Sequence, residues 1–438
     1  MDEIEKRIVE LIDERKEEII AFARDIYAHG ELSFYEVRTA KKVEKFFGQL
    51  GLTIEKEIAV TGVKAWAGGD AKDVNLCILG ELDGIQCKTH PFSNAENGIS
   101  HACGHHAQLA ALIGSAIALC HPEIQKYLDG NITFFAVPAE EYVDASIKEE
   151  LKSQGKIKFG SGKSEAIRIG AFDDIDLVLT THVHMVPCDK DILIGNNASN
   201  GFVSKRILIK GKASHAAIAP GAGINALNAA AHGLNAIGFL RETFPEEDYI
   251  RVHSIIQKGG TAVNVIPDEV VVEAMVRAKS LAAIETTANK VDKAFTASAE
   301  ALGAKAEITN YQGYLPVLEA AASKAMLQAA ACLEHEITFE PIHMGYQNVA
   351  STDVGDLTHV KPVINFTHGG FQGALHSEDF TITDEYKAYI IPAKIMALSA
   401  YRLLAHQAKE AKEVIQEFHP VFTREEYVSY INTLKGGE

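Results

Sequence analysis

Hydrophobic positions recur at helical spacing over residues 3–27, where Ile4, Ile8, Leu11, Ile12, Ile19 and Ile20 share one stripe and predict an amphipathic helix. A second helical pattern runs over Tyr35–Leu50 and stops at Gly51, as helices commonly do just before a glycine. Segments 74–80, 132–138 and 177–183 are short, continuous apolar runs rich in Val, Ile, Leu and Phe. Both of their faces are apolar, so they predict buried strands of a largely parallel sheet. The apolar run Ala107–Leu119 is the helix between the first two, and the alternation predicts an α/β layer structure.

The pattern changes near residue 199. Strand Phe202–Gly211, helix Ile224–Phe244, strands Tyr249–Gln257 and Glu269–Ala278, helix Leu281–Leu302 and strand Ala306–Tyr311 follow in order. That β-α-β-β-α-β order predicts a ferredoxin-like unit, with Gly259-Gly260 and Pro267-Asp268 as turn signals beside its central strands. After residue 314 the helix, loop and strand pattern of the first part returns. The expected organisation is a discontinuous catalytic domain (1–198 and 314–438) with an inserted lid or dimerisation domain (199–313). The Lys-, Ser- and Gly-rich segment 144–168 reads as a mobile excursion.

A chain of 438 residues, 47% hydrophobic and 23% charged, is long enough for two domains of ordinary globular composition. Its net charge of −17 argues against nucleic acid as a partner. No run of about 18 apolar residues is present, so no membrane span is expected. The charged start Met1-Asp-Glu-Ile-Glu-Lys-Arg does not read as a secretory signal, and six cysteines without a framework pattern read as free thiols, so a cytoplasmic protein is expected.

The chemistry concentrates where predicted strands end. Cys103 and His105 stand two apart, in the loop before Ala107 or at the helix start, after a strand and before a helix, where α/β sheets bind ligands. Glu140 and Glu141 follow Pro138 at the end of an apolar strand; adjacent carboxylates repel unless a cation neutralises one. His182 and His184 share one face of a strand, and Asp83 ends the strand Val74–Leu82, where it could orient a ligand imidazole. Thiolate and imidazole mixed with carboxylates favour zinc, manganese, cobalt or nickel over calcium or magnesium. One carboxylate of the pair would bind metal (Glu141) and the other move protons (Glu140). Ser351-Thr-Asp353 and Leu375-His376-Ser-Glu378-Asp379 lie in Gly-rich, loop-like surroundings, where a lone His is commonly just surface. His215, Asn264 and Arg277 are polar residues at strand ends of the inserted unit, able to contact substrate or merely to cap and pair.

Taken together, these segments resemble the amidohydrolase branch of the aminoacylase/carboxypeptidase metallopeptidases, the M20 family, which includes indole-acetyl-amino-acid hydrolases and aminobenzoyl-glutamate hydrolase subunits. The resemblance rests on His29-Gly-Glu-Leu-Ser33, His-Ala-Cys-Gly-His at 101–105, Pro-Ala-Glu-Glu at 138–141, Asp174–His182, Gly211-Lys-Ala-Ser-His215, Asn264-Val-Ile-Pro-Asp268 and Ser351-Thr-Asp-Val-Gly-Asp356. It implies two divalent ions (Zn, Mn, Co or Ni) held by Cys103, His105, Glu141, His182 and His376, with the thiolate shared. It implies Glu140 as general base, His215 as oxyanion donor, and Asn264 and Arg277, with Ser351 nearby, as substrate contacts. The implied reaction is hydrolysis of an N-acyl or N-aroyl amino acid with a free carboxylate; a dipeptidase of the same chemistry, or a non-catalytic binding protein on this scaffold, is the rival. The implied partners are a second copy in a homodimer and, by the aminobenzoyl-glutamate hydrolase likeness, a second subunit. The sequence departs from the family at His106, where Asp is usual, and at Gly84-Ile85-Gln86, where Leu-Pro is usual after the Asp83 motif.

Overall fold

The computed structural model describes residues 1–68, 72–143, 145–184 and 188–434. They form two compact units. The first comprises Met1–Asn197, Leu318–Gly345 and Leu357–Arg424; the second comprises Ala198–Val317, Tyr346–Asp356 and the chain from Glu425 onward.

An eight-stranded sheet organises the first unit, in the order Thr53–Ile58, Gly62–Trp66, Asn131–Val137, Asn75–Glu81, Leu177–Val183, Val363–His368, Ile192–Ile194, Phe339–Pro341. The four central strands run parallel to one another, and antiparallel pairings flank them. The apolar runs of the sequence are these parallel strands: from Leu76 to Glu81 and from Ile132 to Val137 every residue is buried. Helix His105–Leu119 is buried along its whole length, as a helix apolar all round must be. It packs against Ile391–Leu404 and Lys16–Tyr27 on one side of the sheet. Among the described residues no single helix is long and apolar enough to cross a membrane, and none of the six cysteines is paired.

Two local expectations change. The helix predicted over 3–27 is two helices, Glu3–Glu14 and Lys16–Tyr27, broken at Arg15 (φ −114°, ψ 15°). The break lets Ile8, Leu11 and Ile12 from one half and Ile19, Ile20, Ala23 and Ile26 from the other all reach the core. Asp2 starts the first half with a capping box to Glu5, a device worth about 1 kcal/mol. The tract 144–168, read as a mobile excursion, contains helices Ala145–Ser153 and Gly162–Arg168; Asp144 itself lies outside the described residues. The second of these helices opens with a capping box at Ser161 and is buried from Gly162 to Ile167, whereas residues 153–156 before it are exposed.

In the second unit the four strands lie in the order Arg251–Lys258, Glu269–Ala278, Gly201–Lys210, Lys305–Gln312, every neighbouring pair antiparallel. Helices Ala226–Leu240 and Leu281–Ala301 cover one face. Chain order and strand order together are the ferredoxin-like arrangement. Alternation places Val270, Val272, Ala274, Val276 and Ala278 on the covered face, with Ile207, Ile209 and Phe295 in the same core.

Candidate metal centre

The carboxyl ends of the parallel strands and the loops beyond them carry the chemistry, the location expected for a ligand site in a parallel sheet. Cys103 sits in the turn before helix His105–Leu119, with Gly104 as the residue that starts the helix. Gly104 has φ +89°, and a Cβ there would stand 2.6 Å from Val183 Cγ1. Only glycine meets both conditions, and this turn delivers the thiol and the imidazole to one side. Glu140 and Glu141 follow strand Asn131–Val137 through Ala139, which has φ +53°.

That unusual backbone is held from several directions. The Ala139 amide donates to Glu36 Oε1 at 2.8 Å and the Gly162 amide donates to the Ala139 carbonyl at 2.8 Å. The Glu141 amide donates to Asp83 Oδ2 at 2.8 Å, and Ser33 Oγ lies 2.7 Å from the same oxygen and 3.0 Å from the Glu141 carbonyl. Burial, and then the Asp83 charge, raise the Glu36 carboxyl to about 8. Burial pushes Asp83 up too, but the His105 hydrogen bond and charge, the Glu141 amide and Ser33 outweigh it and hold the carboxyl at about 2. His376, at φ +62°, is brought in from far along the chain by a bond from its amide to the Ala102 carbonyl, 2.9 Å. Left-handed backbone at two non-glycine residues of one site is strain retained by surrounding contacts.

The donor atoms converge. Cys103, His105 and His182 form one group and Cys103, Glu141 and His376 a second, the ligand atoms within each lying within 4.8 Å of one another. Cys103 Sγ is 3.6 Å from His182 Nε2, and His376 Nε2 is 3.1 Å from Glu141 Oε1. The Nδ1 atoms face carbonyl oxygens, that of His105 on Asp83 (2.9 Å) and that of His182 on Val183 (2.9 Å), so each ring turns Nε2 inward. Among buried side-chain atoms with no hydrogen-bond partner are Glu81 Oε2, Asp83 Oδ1, His105 Nε2 and Glu141 Oε1. Orphaned acceptors and imidazole nitrogens at this density are costly unless cations satisfy them, so this donor set fits divalent metal. His376 is the open side of the centre, with nearly half its side chain exposed.

Proton bookkeeping gives a test. Burial, then the Glu141 charge, raise the Cys103 thiol well above its ordinary value; burial alone would lower His105, but Cys103, Glu81 and Asp83 raise it. The metal-free pair therefore holds a proton that metal entry must displace. Metal affinity should fall about tenfold for each unit by which the pH is lowered, per proton released. Calorimetric titration in buffers of different ionisation heat counts those protons. No proton release between pH 6 and 8 would remove Cys103 from the ligand set.

Other residues take different places. His184 bonds Thr367 Oγ1 (2.9 Å) and the Lys190 carbonyl (3.0 Å), apart from the donor groups. His106, where the resemblance leads one to expect Asp, is fully buried against Tyr27 (ring centroids 4.6 Å apart), Phe371 and Tyr389. Burial, then the neighbouring His101 and His105 rings, keep it neutral, so it adds no charge beside the centre. In the second unit the remaining residues fall into two pairs. His215 and Asn264 are adjacent through the Ala216 amide, which donates to the Asn264 carbonyl (3.0 Å). Arg277 donates to Ser351 Oγ at 3.2 Å and lies over the Phe202 ring. His215 Nδ1 accepts the Ala217 and Ile218 amides (3.2 Å each), which leaves Nε2 as the nitrogen that carries the proton in the neutral ring.

Sequence reading passed over Glu81, Lys163 and Glu36. Glu81 and Lys163 are fully buried and paired at 2.5 Å beside His105. Each had only the signal of a charged residue at the end of an apolar strand or within a polar tract.

Residues 197–302 match the peptidase dimerisation domain of the M20 family. The chain is 27% identical to the human Xaa-Arg dipeptidase, over 90% of this chain and 87% of the relative. It is also 27% identical to the N-acetyl-L-cysteine deacetylase of Bacillus subtilis, over 89% of each. The chain is a homologue of the M20 metal-dependent amidohydrolases. A dinuclear metal-binding M20 peptidase from Bacillus subtilis shares its fold, with a TM-score of 0.65 and 23% identity over 88% of this chain and 98% of that one. The matched dimerisation domain covers most of the inserted ferredoxin-like unit.

Proposed function

We propose that this M20 homologue hydrolyses the amide bond of an N-acyl or N-aroyl amino acid and releases the free amino acid. The observation that carries the reading is the pair of donor groups meeting at Cys103, with Glu140 beside them and in neither. Cys103, His105 and His182 would hold one divalent ion and Cys103, Glu141 and His376 the other. Bound there, the ions would supply Lewis acidity towards the scissile carbonyl and bring the pKa of a water towards about 7. Glu140 takes the proton of the attacking water and passes it to the leaving amine, the two halves of general acid–base work by one carboxylate. The backbone on either side of it is held, the Glu141 amide by Asp83 and the Ala139 amide by Glu36. His215, with its proton on Nε2, is the oxyanion donor of this reading; removing such a donor typically costs about 10²–10³ in rate. Arg277, with its Ser351 contact, is the group suited to a substrate carboxylate. Exposed Ile255 and Ile256 on the edge strand Arg251–Lys258 are apolar surface that a second copy would cover in a homodimer.

A panel of N-acyl amino acids, aminobenzoyl-glutamate and dipeptides, assayed for amino-acid release before and after manganese, zinc or cobalt, tests the proposal. Metal-dependent release from N-acyl or N-aroyl amino acids, with dipeptides at least tenfold slower, is the expected result. Dipeptides as the faster substrates would make the chain a dipeptidase, the activity named for the human relative. A folded, metal-loaded protein that releases nothing would sink the enzyme reading.

A further inference from the structure

One buried charge pair beside the centre has no place in the mechanism so far. Glu81 is the last residue of strand Asn75–Glu81, and its amide accepts no slack: it donates to Gln108 Oε1 at 2.9 Å. Lys163 stands in the first turn of helix Gly162–Arg168. Gly162 lets that turn lie against the Pro138 carbonyl so closely that a Cβ would stand 1.6 Å from the oxygen. The Lys163 side chain is fully buried, and its ammonium meets Glu81 Oε1 at 2.5 Å. The other oxygen, Glu81 Oε2, has no hydrogen-bond partner and lies 3.2 Å from His105 Nε2, the nitrogen turned into the centre. Glu81, His105 and Glu140 form a third group whose ligand atoms lie within 4.8 Å of one another.

A buried ion pair is a poor device for stability alone, because well-packed apolar side chains usually do as well or better. Here one carboxylate oxygen is tethered and the other is left bare, facing the ligand nitrogen of His105. The charges also balance. With metal bound, the Cys103 thiolate, Glu81, Asp83, Glu140 and Glu141 carry five negative charges; two divalent ions carry four positive ones, and Lys163 carries the fifth.

We propose that Glu81 is a further protein ligand for the ion on the His105 side, and that Lys163 is the positioning residue that aims its free oxygen and offsets its charge. The proposal rests on the two-metal reading above. With Glu81 added, the His105 side offers Cys103, His105, His182 and Glu81, a set that suits four-coordinate zinc or cobalt.

The test compares the wild type, Cys103→Ala and the double variant Glu81→Gln/Lys163→Met, which removes both charges and so leaves neither buried alone. Each is titrated with cobalt against a competing chelator, with metal content and the visible cobalt spectrum recorded. The double variant should keep one ion and bind the other about 10- to 100-fold more weakly, the usual cost of losing a contact that tunes a metal, with a changed spectrum. A pair that is only structural would move neither affinity nor spectrum. If the double variant does not fold, Glu81→Asp keeps the charge and withdraws the oxygen by one methylene, and should weaken the same ion. A folded variant with two ions bound at wild-type affinity and an unchanged spectrum overturns the proposal. A wild type that binds no cobalt, or a Cys103→Ala variant that binds it normally, overturns the two-metal reading beneath it.

Discussion

Glu140→Gln should lower kcat by about 10²–10⁴-fold, the range general acid–base groups contribute, while metal content stays at the wild-type level. The substitution keeps the shape of the side chain and removes its basicity. Glu140 is 7% exposed, and its Oε2 lies 3.8 Å from His105 Nε2, close to the donor set but outside the two groups that meet at Cys103. The backbone around it is held independently of metal: Ala139 in the left-handed region turns the chain, and Glu36, Gly162 and Asp83 fix the residues on either side. The variant should therefore fold and load normally. Steady-state kinetics with elemental analysis on the same sample reads both quantities. A variant that turns over at the wild-type rate would take the base role away from Glu140. One that loses its metal would make Glu140 a ligand.

Cys103→Ala should have the widest effect of any single ligand change, because its sulfur is the only atom common to the two groups. Both ions should be lost or weakened together, and hydrolysis should fall below detection. His376→Ala, by contrast, touches only the group that contains Glu141 and should leave the other ion in place. The open position of His376 predicts little change in fold stability for that variant. Metal content after exhaustive dialysis separates the cases. If Cys103→Ala keeps one ion at full occupancy, the thiolate is not shared.

The layers of the fold were legible because the residues that build them are extreme. Fully buried parallel strands leave uninterrupted apolar runs such as Ile132–Val137, and a helix buried on all sides leaves one such as Ala107–Leu119. The ferredoxin-like unit was legible because its strands alternate and its turns carry Gly and Pro. The break at Arg15 was not, since both helices keep the same apolar period across it. Within the centre, Cys103, His105, Glu140, Glu141 and His182 announced themselves by standing at strand ends. His376 did not stand out from an ordinary loop histidine, because what places it is a single amide bond to Ala102, far away in sequence. Lys163 was hidden for the opposite reason. A lysine among Ser and Gly reads as surface, and only the close seating of Gly162 on Pro138 carries it inside. At His106, where the resemblance leads one to expect Asp, the sequence shows a departure but not its outcome: burial among aromatic rings, then the neighbouring histidines, hold the ring neutral.

Anomalous diffraction from crystals loaded with manganese or zinc tests the central claim most directly. The account predicts two peaks about 3.5–4 Å apart, the spacing of two-metal hydrolase sites, with Cys103 Sγ between them, one flanked by His105 and His182 and the other by Glu141 and His376. A single peak, or peaks away from Cys103, in crystals of a protein that hydrolyses its substrate would contradict it.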